Sequence, residues 1–348
     1  GIRDDVESRG LGEVYKRQER TITMLKAGMS IIDITPEKGV QLGGYPHCPR
    51  PNEGVHDRLY ASCMFLDNGT DRVAIVAMDI FFFTKRLCTE IRSKFDFDIS
   101  FTASHTHSAP NTGLVHDFEK NEGVFVDEAF VSDLVAKVEK IIKEAHDNTF
   151  DAEFGSYVGH CGAEQGVGGN RREKGGVCDP SVNILAVRDS DKKIRGILLN
   201  YALHPTYLHA DNVLVSADYP GGVRNYIHFA FPDAIFMFAQ GTIGNQSSRY
   251  HRLGQTFEEA CRVGTTLGVE IFHCIGKMEF TDKLDIGFKH TFIDLPRRTF
   301  ASSAEAKPGM EKARERFASL HDADYITMRN AELDMFGAED LYLSLIHI

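Results

Sequence analysis

The chain has 348 residues, of which 42% are hydrophobic and 26% charged, and it carries a formal net charge of -11. Such a composition is typical of a soluble globular protein that is long enough to bury a sizeable core. The negative charge argues against nucleic acid as a partner, and no uninterrupted apolar stretch is long enough to form an integral membrane segment.

The two ends of the chain differ in character from the rest. Residues 1–23 and 343–348 resemble translated sequencing-adapter read-through, so we expect a non-native leader and a non-native tail around one domain at 24–342. A native start at Met24 leaves no secretory signal, which favours a cytoplasmic over a secreted location. We expect the natural sequence to be cut short after Tyr342.

Predicted strands and helices are intermixed along the chain. Apolar runs rich in β-branched residues predict strands at 22–34, 59–66, 73–79, 97–103, 154–158, 182–187, 194–201, 235–239 and 284–295. Apolar residues at helical spacing predict helices at 83–95, 126–148, 258–277 and 304–320. The pattern indicates a single large α/β domain with mixed β-sheets flanked by helices. The phenylalanines at 81–83 are interpreted as core residues.

Three histidines are the clearest candidates for chemistry. His105 and His107 follow a predicted strand, and side chains at i and i+2 of an extended segment leave the same face. His204 follows a second buried strand. Because zinc favours neutral imidazole nitrogen in a tetrahedral shell, the three together predict a site for one Zn²⁺ ion. The alternative is a hydrogen-bonded or surface histidine pair without metal.

Several polar segments stand at the ends of the apolar runs, where loops carry chemistry on a rigid scaffold. In chain order they are Asp33–Pro36, Gly54–Ala61, His105–Ser108, Asn170–Arg171, His204, Ser216–Asp218 and Gly244–Ser247. Together they resemble the amino-terminal catalytic domain of the neutral/alkaline non-lysosomal ceramidase family. The second is similar to the family's GIHDRLYAR stretch, the third to its THTHSGP histidine pair and the last to its GDVSPN segment.

The resemblance implies a zinc-dependent hydrolase of a linear amide, acting on carbon–nitrogen bonds other than peptide bonds. Its enzymes hold one zinc ion with two histidines from this part of the chain, which here are His105 and His204. A glutamate and a tyrosine from farther along complete the family's metal site. These two ligands have no match here, and we expect them beyond the point where the sequence is cut short.

The resemblance also implies how the substrate is held. His107 would face the substrate or its developing oxyanion, Arg171 and the backbone near Gly44 would hold its polar head, and Ser247 would be a nucleophile or a head-group contact. Elementary chemistry favours water activated by zinc, with His107 moving the proton to the leaving amine. A serine nucleophile needs a base within hydrogen-bond reach, and a histidine bound to zinc cannot serve.

Four further polar residues are candidates for orienting the imidazoles through hydrogen bonds: His56, Asp57, Asp79 and Asp218. Each also has a structural interpretation. His56 and Asp57 are adjacent and can form a hydrogen-bonded pair, and the other two carboxylates stand where a strand ends or a helix begins.

Departures from the family pattern concern the substrate. Asn245 stands where an aspartate is usual, Arg172 and Glu173 replace a small residue and a proline, and Pro205 replaces a glycine. These features are more similar to shorter, distant bacterial relatives than to enzymes that act on membrane sphingolipids, so the expected substrate is an N-acyl amide whose kind the sequence does not specify. Two alternatives remain open: a non-catalytic or degenerate fragment with an incomplete metal site, and a metal-independent serine hydrolase using Ser247.

Overall fold

The computed structural model of the protein describes residues 24–45, 50–113, 115–117, 122–124, 126–291 and 302–346. Residues 1–23 and 347–348 lie outside the described residues, so the non-native leader and the end of the tail stay predictions. The boundaries of the domain at 24–342 also stay a proposal.

A nine-stranded mixed sheet forms the centre of the fold. Its first half consists of β1 (Lys26–Asp33), β3 (Tyr60–Asp67), β4 (Arg72–Met78) and β5 (Asp98–Ala103). Its second half consists of β8 (Phe150–His160), β10 (Ser181–Asp189), β11 (Ile194–Tyr201), β13 (Ile235–Gln240) and the short β15 (Phe280–Thr281). The strand order is β13-β11-β10-β8-β1-β3-β4-β5, with β15 pairing with β8. Only Lys26 and Ala27 of β1 pair with β8, so the two halves join at a narrow corner.

Short two-stranded pairs and six α-helices complete the described structure. The short strands are β2 (Gly54–Val55), β6 (Val115–Asp117), β7 (Glu122–Val124), β9 (Gly169–Asn170), β12 (Leu214–Val215) and β14 (Gln246–Ser247). The helices are α1 (Lys85–Arg92), α2 (Glu128–Asp147), α3 (Tyr219–Ala230), α4 (Phe257–Lys277), α5 (Ser303–Ala318) and α6 (Tyr325–Ile346). None of the helices in the described ranges is both long and apolar enough to cross a bilayer.

Three buried clusters show that the two halves of the sheet pack face to face with helices outside. One cluster joins the first half to α1 and α2, and a second joins the second half to α3 and α4. The third lies between the halves and includes Met64, Leu198 and Met237. The predicted α/β architecture, a mixed sheet flanked by helices in one domain, is therefore confirmed.

The predicted strand at 284–295 is wrong over its described part, because 283–291 is irregular and 292–295 lie outside the described residues. Two helices went unpredicted, α3 and α6. The α3 sequence contains Pro220, Gly221 and Gly222, residues that lower helix propensity. The proline stands in the first turn, where its missing N–H costs nothing. A Cβ on Gly264 of α4 would lie 2.6 Å from the Cα of Gly222, so the glycines allow the two helices to touch.

Candidate metal centre

The carboxyl ends of four strands meet at one edge of the sandwich. β4 runs parallel to β5 in the first half, and β11 runs parallel to β13 in the second. The backbone N–H of Gln240, at the end of β13, donates to Oγ1 of Thr102 in β5 over 3.3 Å. This contact ties the two parallel pairs together. Loops that leave the same edge of both halves therefore converge, as loops at the carboxyl ends of parallel strands do.

The loops after β5 and β11 bring the three histidines together. His105 follows the end of β5 and has a left-handed backbone with φ of 64°, and His204 follows the end of β11. One possible ligand atom from each of His105, His107 and His204 lies within 4.8 Å of the other two. This group could hold a metal ion. Sequence alone grouped the same histidines, although 97 positions separate His107 from His204.

Two of the imidazoles are held by the backbone in the orientation that a metal ligand needs. Nδ1 of His105 lies 2.9 Å from the carbonyl oxygen of Phe81, and Nδ1 of His204 lies 3.3 Å from that of Ile243. A carbonyl only accepts, so each Nδ1 carries the proton and each Nε2 keeps its lone pair. Fixing the tautomer through the other ring nitrogen is the usual support of a metal-bound histidine.

His107 differs from the other two. Its Nε2 lies 3.2 Å from Nε2 of His204, while its buried Nδ1 has no hydrogen-bond partner. Two nitrogen ligands of a tetrahedral zinc ion with bonds of about 2.0–2.1 Å stand roughly 3.3 Å apart, so the Nε2 pair has the spacing of a metal site. Two facing lone pairs at this distance repel unless a proton or a cation lies between them. The donor set therefore fits a divalent ion.

Burial keeps the cluster uncharged. It lowers the pKa of His105, lowers that of His204 to about 3 and lowers that of His107 well below its ordinary value. The positive charge of Arg171 contributes to the lowering of all three pKa values. Imidazole binds a metal only when neutral, so these shifts favour metal binding at neutral pH.

Aromatic rings and a glycine form the walls around the imidazoles. Phe81 stacks on His105 with ring centroids 4.4 Å apart, and Tyr45 meets the edge of His107 at 4.9 Å. Gly44 has a φ of 90°, and a Cβ there would lie 2.3 Å from Cγ of His107. The interpretation of Phe81 as a core residue was wrong, because its half-buried ring lines the metal centre.

Arg50 is a buried residue of the site that sequence reasoning missed. Its Nη2 donates to the carbonyl oxygens of His107, at 2.7 Å, and Gly43, while Nη1 donates to that of Asn212 over 2.9 Å. The guanidinium thus joins three loops around His107. Nothing in the sequence separates this arginine from the others, because its partners are backbone carbonyls of distant segments.

Ser247 lies in β14 of the short β9–β14 pair, and Arg171 directly follows β9. Nε of Arg171 donates to the carbonyl oxygen of Gly244 over 3.0 Å. Ser247 is buried, and its Oγ accepts a hydrogen bond from the backbone N–H of Arg249 over 3.2 Å. The hydrogen bond of this hydroxyl is thus to the backbone. A serine nucleophile would need a base as its partner.

His56 and Asp57 interact with each other and with the start of α3. Nδ1 of His56 lies 2.9 Å from Oδ2 of Asp57, and its ring stacks on Phe257 at 3.6 Å. Asp57 also accepts from the Ser216 hydroxyl and from the backbone N–H of Ala217. These contacts tie the loop before β3 to the amino terminus of α3.

Asp79 and Asp218 are buried carboxylates with backbone partners. Asp79 accepts from the N–H of Tyr60 over 3.0 Å and forms an ion pair with Arg224. Asp218 accepts three N–H bonds, from Tyr219 at 2.7 Å, Tyr207 at 3.0 Å and Leu208 at 3.1 Å. The imidazole N–H groups of His105 and His204 instead face carbonyl oxygens, so the carboxylates act on the loops and not on these rings.

Asp218 is expected to make stability depend on pH. Burial raises its pKa to about 7, partly opposed by its three N–H donors. The folded protein therefore holds this proton between about pH 4 and pH 7, whereas the unfolded chain releases it. As the pH rises through this range, this group should lower the free energy of unfolding by up to about 1.4 kcal/mol per pH unit. It is measured by urea unfolding with chelator present.

The matched control for this effect is Asp218→Asn, which cannot titrate. We expect its free energy of unfolding to fall less steeply than that of the wild type between about pH 4 and pH 7. Equal slopes in the two proteins would contradict the raised pKa.

The fold and the histidine cluster define a mixed α/β domain with a candidate metal centre at one sheet edge. No protein-family model matches the sequence. Similar solved structures include a ceramidase complexed with C2 and the neutral ceramidase from Pseudomonas aeruginosa, each with a TM-score of 0.62 at 19% identity. The alignments cover 73% of this chain and 44% and 45% of those chains. The protein thus has a ceramidase-like fold and spans less than half the length of these neighbours.

Proposed function

We propose that this chain carries the metal-binding part of a zinc-dependent hydrolase that cleaves a linear N-acyl amide. The observation that carries the proposal is the orientation of His105 and His204, whose Nδ1 protons are held by carbonyl oxygens. Both Nε2 atoms therefore keep their lone pairs, and that of His204 lies 3.2 Å from Nε2 of His107. The ceramidase-like fold supports an amide as the bond that is cleaved.

The contacts support a different role for each residue of the site. A bound zinc ion supplies a Lewis acid that polarises a carbonyl and lowers the pKa of water to around 7. His105 and His204 would hold the ion, and Gly44, whose backbone packs against the ring of His107, fixes the position of that ring. His107 lacks a partner at Nδ1, so its ring is the one of the three that is not committed to the backbone. Because its lowered pKa keeps this ring neutral, we assign it the role of accepting a proton from the attacking water and passing it to the leaving amine.

The serine alternative has less support. Ser247 Oγ accepts from the N–H of Arg249, and in the described part of the chain no hydrogen bond joins this hydroxyl to an imidazole. A serine without a base is a weak nucleophile at neutral pH. We therefore favour activated water over Ser247.

The proposal is tested by metal analysis together with hydrolysis of a fluorescent N-acyl amide. We expect about one zinc ion per chain, loss of hydrolysis after chelation and its return when zinc is added. Ser247→Ala should keep most of the activity, which separates the metal mechanism from a serine hydrolase. Full activity of zinc-free protein would rule out the proposal, and zinc binding without hydrolysis would favour a non-catalytic relative.

A further inference from the structure

The guanidinium of Arg171 is a half-buried cation next to the metal centre. It makes one hydrogen bond within the described residues, from Nε to the carbonyl oxygen of Gly244. Its partner Gly244 follows Ile243, whose carbonyl oxygen holds Nδ1 of His204, so Arg171 lies beside the histidine cluster. Its charge also lowers the pKa of His105, His107 and His204. The two terminal nitrogens of its fork have no described hydrogen bond to protein.

The charged groups around Arg171 are cations. Its pKa is lowered to about 10, mainly by burial and also by the charges of Arg249 and Arg172. The phenol of Tyr45 instead raises the pKa of Arg171, and a phenol is ordinarily uncharged at pH 7. Among the described residues, no carboxylate offsets this charge, although the whole chain carries a net charge of -11.

The neighbouring arginines are engaged elsewhere. Nη1 of Arg172 lies 3.5 Å from Oδ1 of Asp334 on α6. Nη1 of Arg249 donates to the carbonyl oxygen of Arg171 and to the side-chain oxygen of Asn330, also on α6. The helix thus holds two of the three guanidinium groups, while that of Arg171 is held by the Gly244 carbonyl beside the histidine cluster.

A half-buried cation without a counter-charge is costly unless a ligand supplies one. The terminal fork of a guanidinium matches a carboxylate in two parallel hydrogen bonds. We infer that the amide substrate carries a carboxylate, as an N-acyl amino acid does, and that Arg171 binds this carboxylate. The inference rests on the proposed amide hydrolysis. A phosphate monoester, with nearly two charges, would call for a second guanidinium, and that of Arg249 is already engaged.

A matched pair of ligands tests the inference without relying on turnover. N-(octylsulfonyl)glycine and N-(octylsulfonyl)glycinamide have the same size and a sulfonamide that resists hydrolysis, and they differ in the charge of one end. Each is titrated by calorimetry into the full chain with zinc in the buffer. We expect the carboxylate to bind at least about tenfold more tightly than the carboxamide. Equal affinities would overturn the inference, and this wild-type comparison needs no variant.

Variants then locate the contact. Arg171→Met should remove the preference for the carboxylate and leave the affinity for the carboxamide nearly unchanged. Arg172→Met is the matched control, because that neighbouring guanidinium pairs with Asp334, and it should keep the preference. Equal loss of preference in both variants would contradict a specific role of Arg171. Thermal melting of each variant checks that it is folded.

Hydrolysis of N-octanoylglycine and N-octanoylglycinamide separates this inference from the proposed function. A higher kcat/KM for the carboxylate, lost in Arg171→Met, supports both. Cleavage of the two amides at equal rates, with equal binding, overturns the carboxylate site and keeps the hydrolase. Preferential binding of the carboxylate without any cleavage keeps the site and overturns the hydrolase.

Discussion

His204→Ala is expected to abolish zinc binding and amide hydrolysis together. Nε2 of His204 lies 3.2 Å from Nε2 of His107, and the carbonyl oxygen of Ile243 orients the His204 ring through its Nδ1. Loss of an outer-shell partner alone costs about 10–100-fold in metal affinity, so loss of a ligand should cost more. Zinc content of the purified protein and a competition titration with a chelating dye measure the effect.

His105→Ala should behave in the same way, because Phe81 holds that imidazole as Ile243 holds His204. His228→Ala is the matched control, since this exposed histidine lies on α3 and should leave zinc content unchanged. Retention of one zinc ion per chain by both cluster variants would mean that these two imidazoles are not the ligands.

His107→Gln is expected to keep zinc and lose hydrolysis. Glutamine can occupy the space of the ring and form a hydrogen bond, but it cannot give up and regain a proton near neutral pH. Removing a general acid typically lowers the rate by about 10²–10⁴-fold. The measurement pairs zinc content with kcat and KM on the same sample, and we expect the loss in kcat.

The contrary result for His107→Gln is equally informative. If this variant loses zinc as His204→Ala does, the imidazole is a third ligand, a role that its 3.2 Å separation from His204 also fits. Unchanged kcat with zinc retained would remove His107 from the chemistry altogether.

The helices show where sequence patterns suffice and where they do not. The helix predicted at 126–148 is present as α2, because its buried face repeats at helical spacing and Asp127 accepts from the N–H of Phe130 at its start. The α3 helix escaped prediction because its glycines lower local propensity. Glycine at position 222 allows α3 to contact Gly264 on α4, which is far away in sequence.

The candidate site divides in the same way. The grouping of His105, His107 and His204 was predictable, because two of them share a short segment and all three follow apolar strands. Their supports were not predictable, since the acceptors at Phe81 and Ile243 are backbone carbonyls that any residue carries. Asp79 and Asp218 were candidates either for orienting the imidazoles or for the end of a strand and the start of a helix, and their backbone N–H partners fit the second interpretation.

Local spacing and residue chemistry were sufficient for the α/β class, most of the strands and the three imidazoles, because those properties are written in neighbouring residues. Only the tertiary structure decided which ring nitrogens of His105 and His204 are held by carbonyl oxygens and that Arg50 joins the loops around His107. It also decided that Arg171 lies beside the site without a carboxylate partner among the described residues. Each of these depends on contacts between segments that are remote in the chain. Such contacts are set by how the two halves of the sheet close on each other.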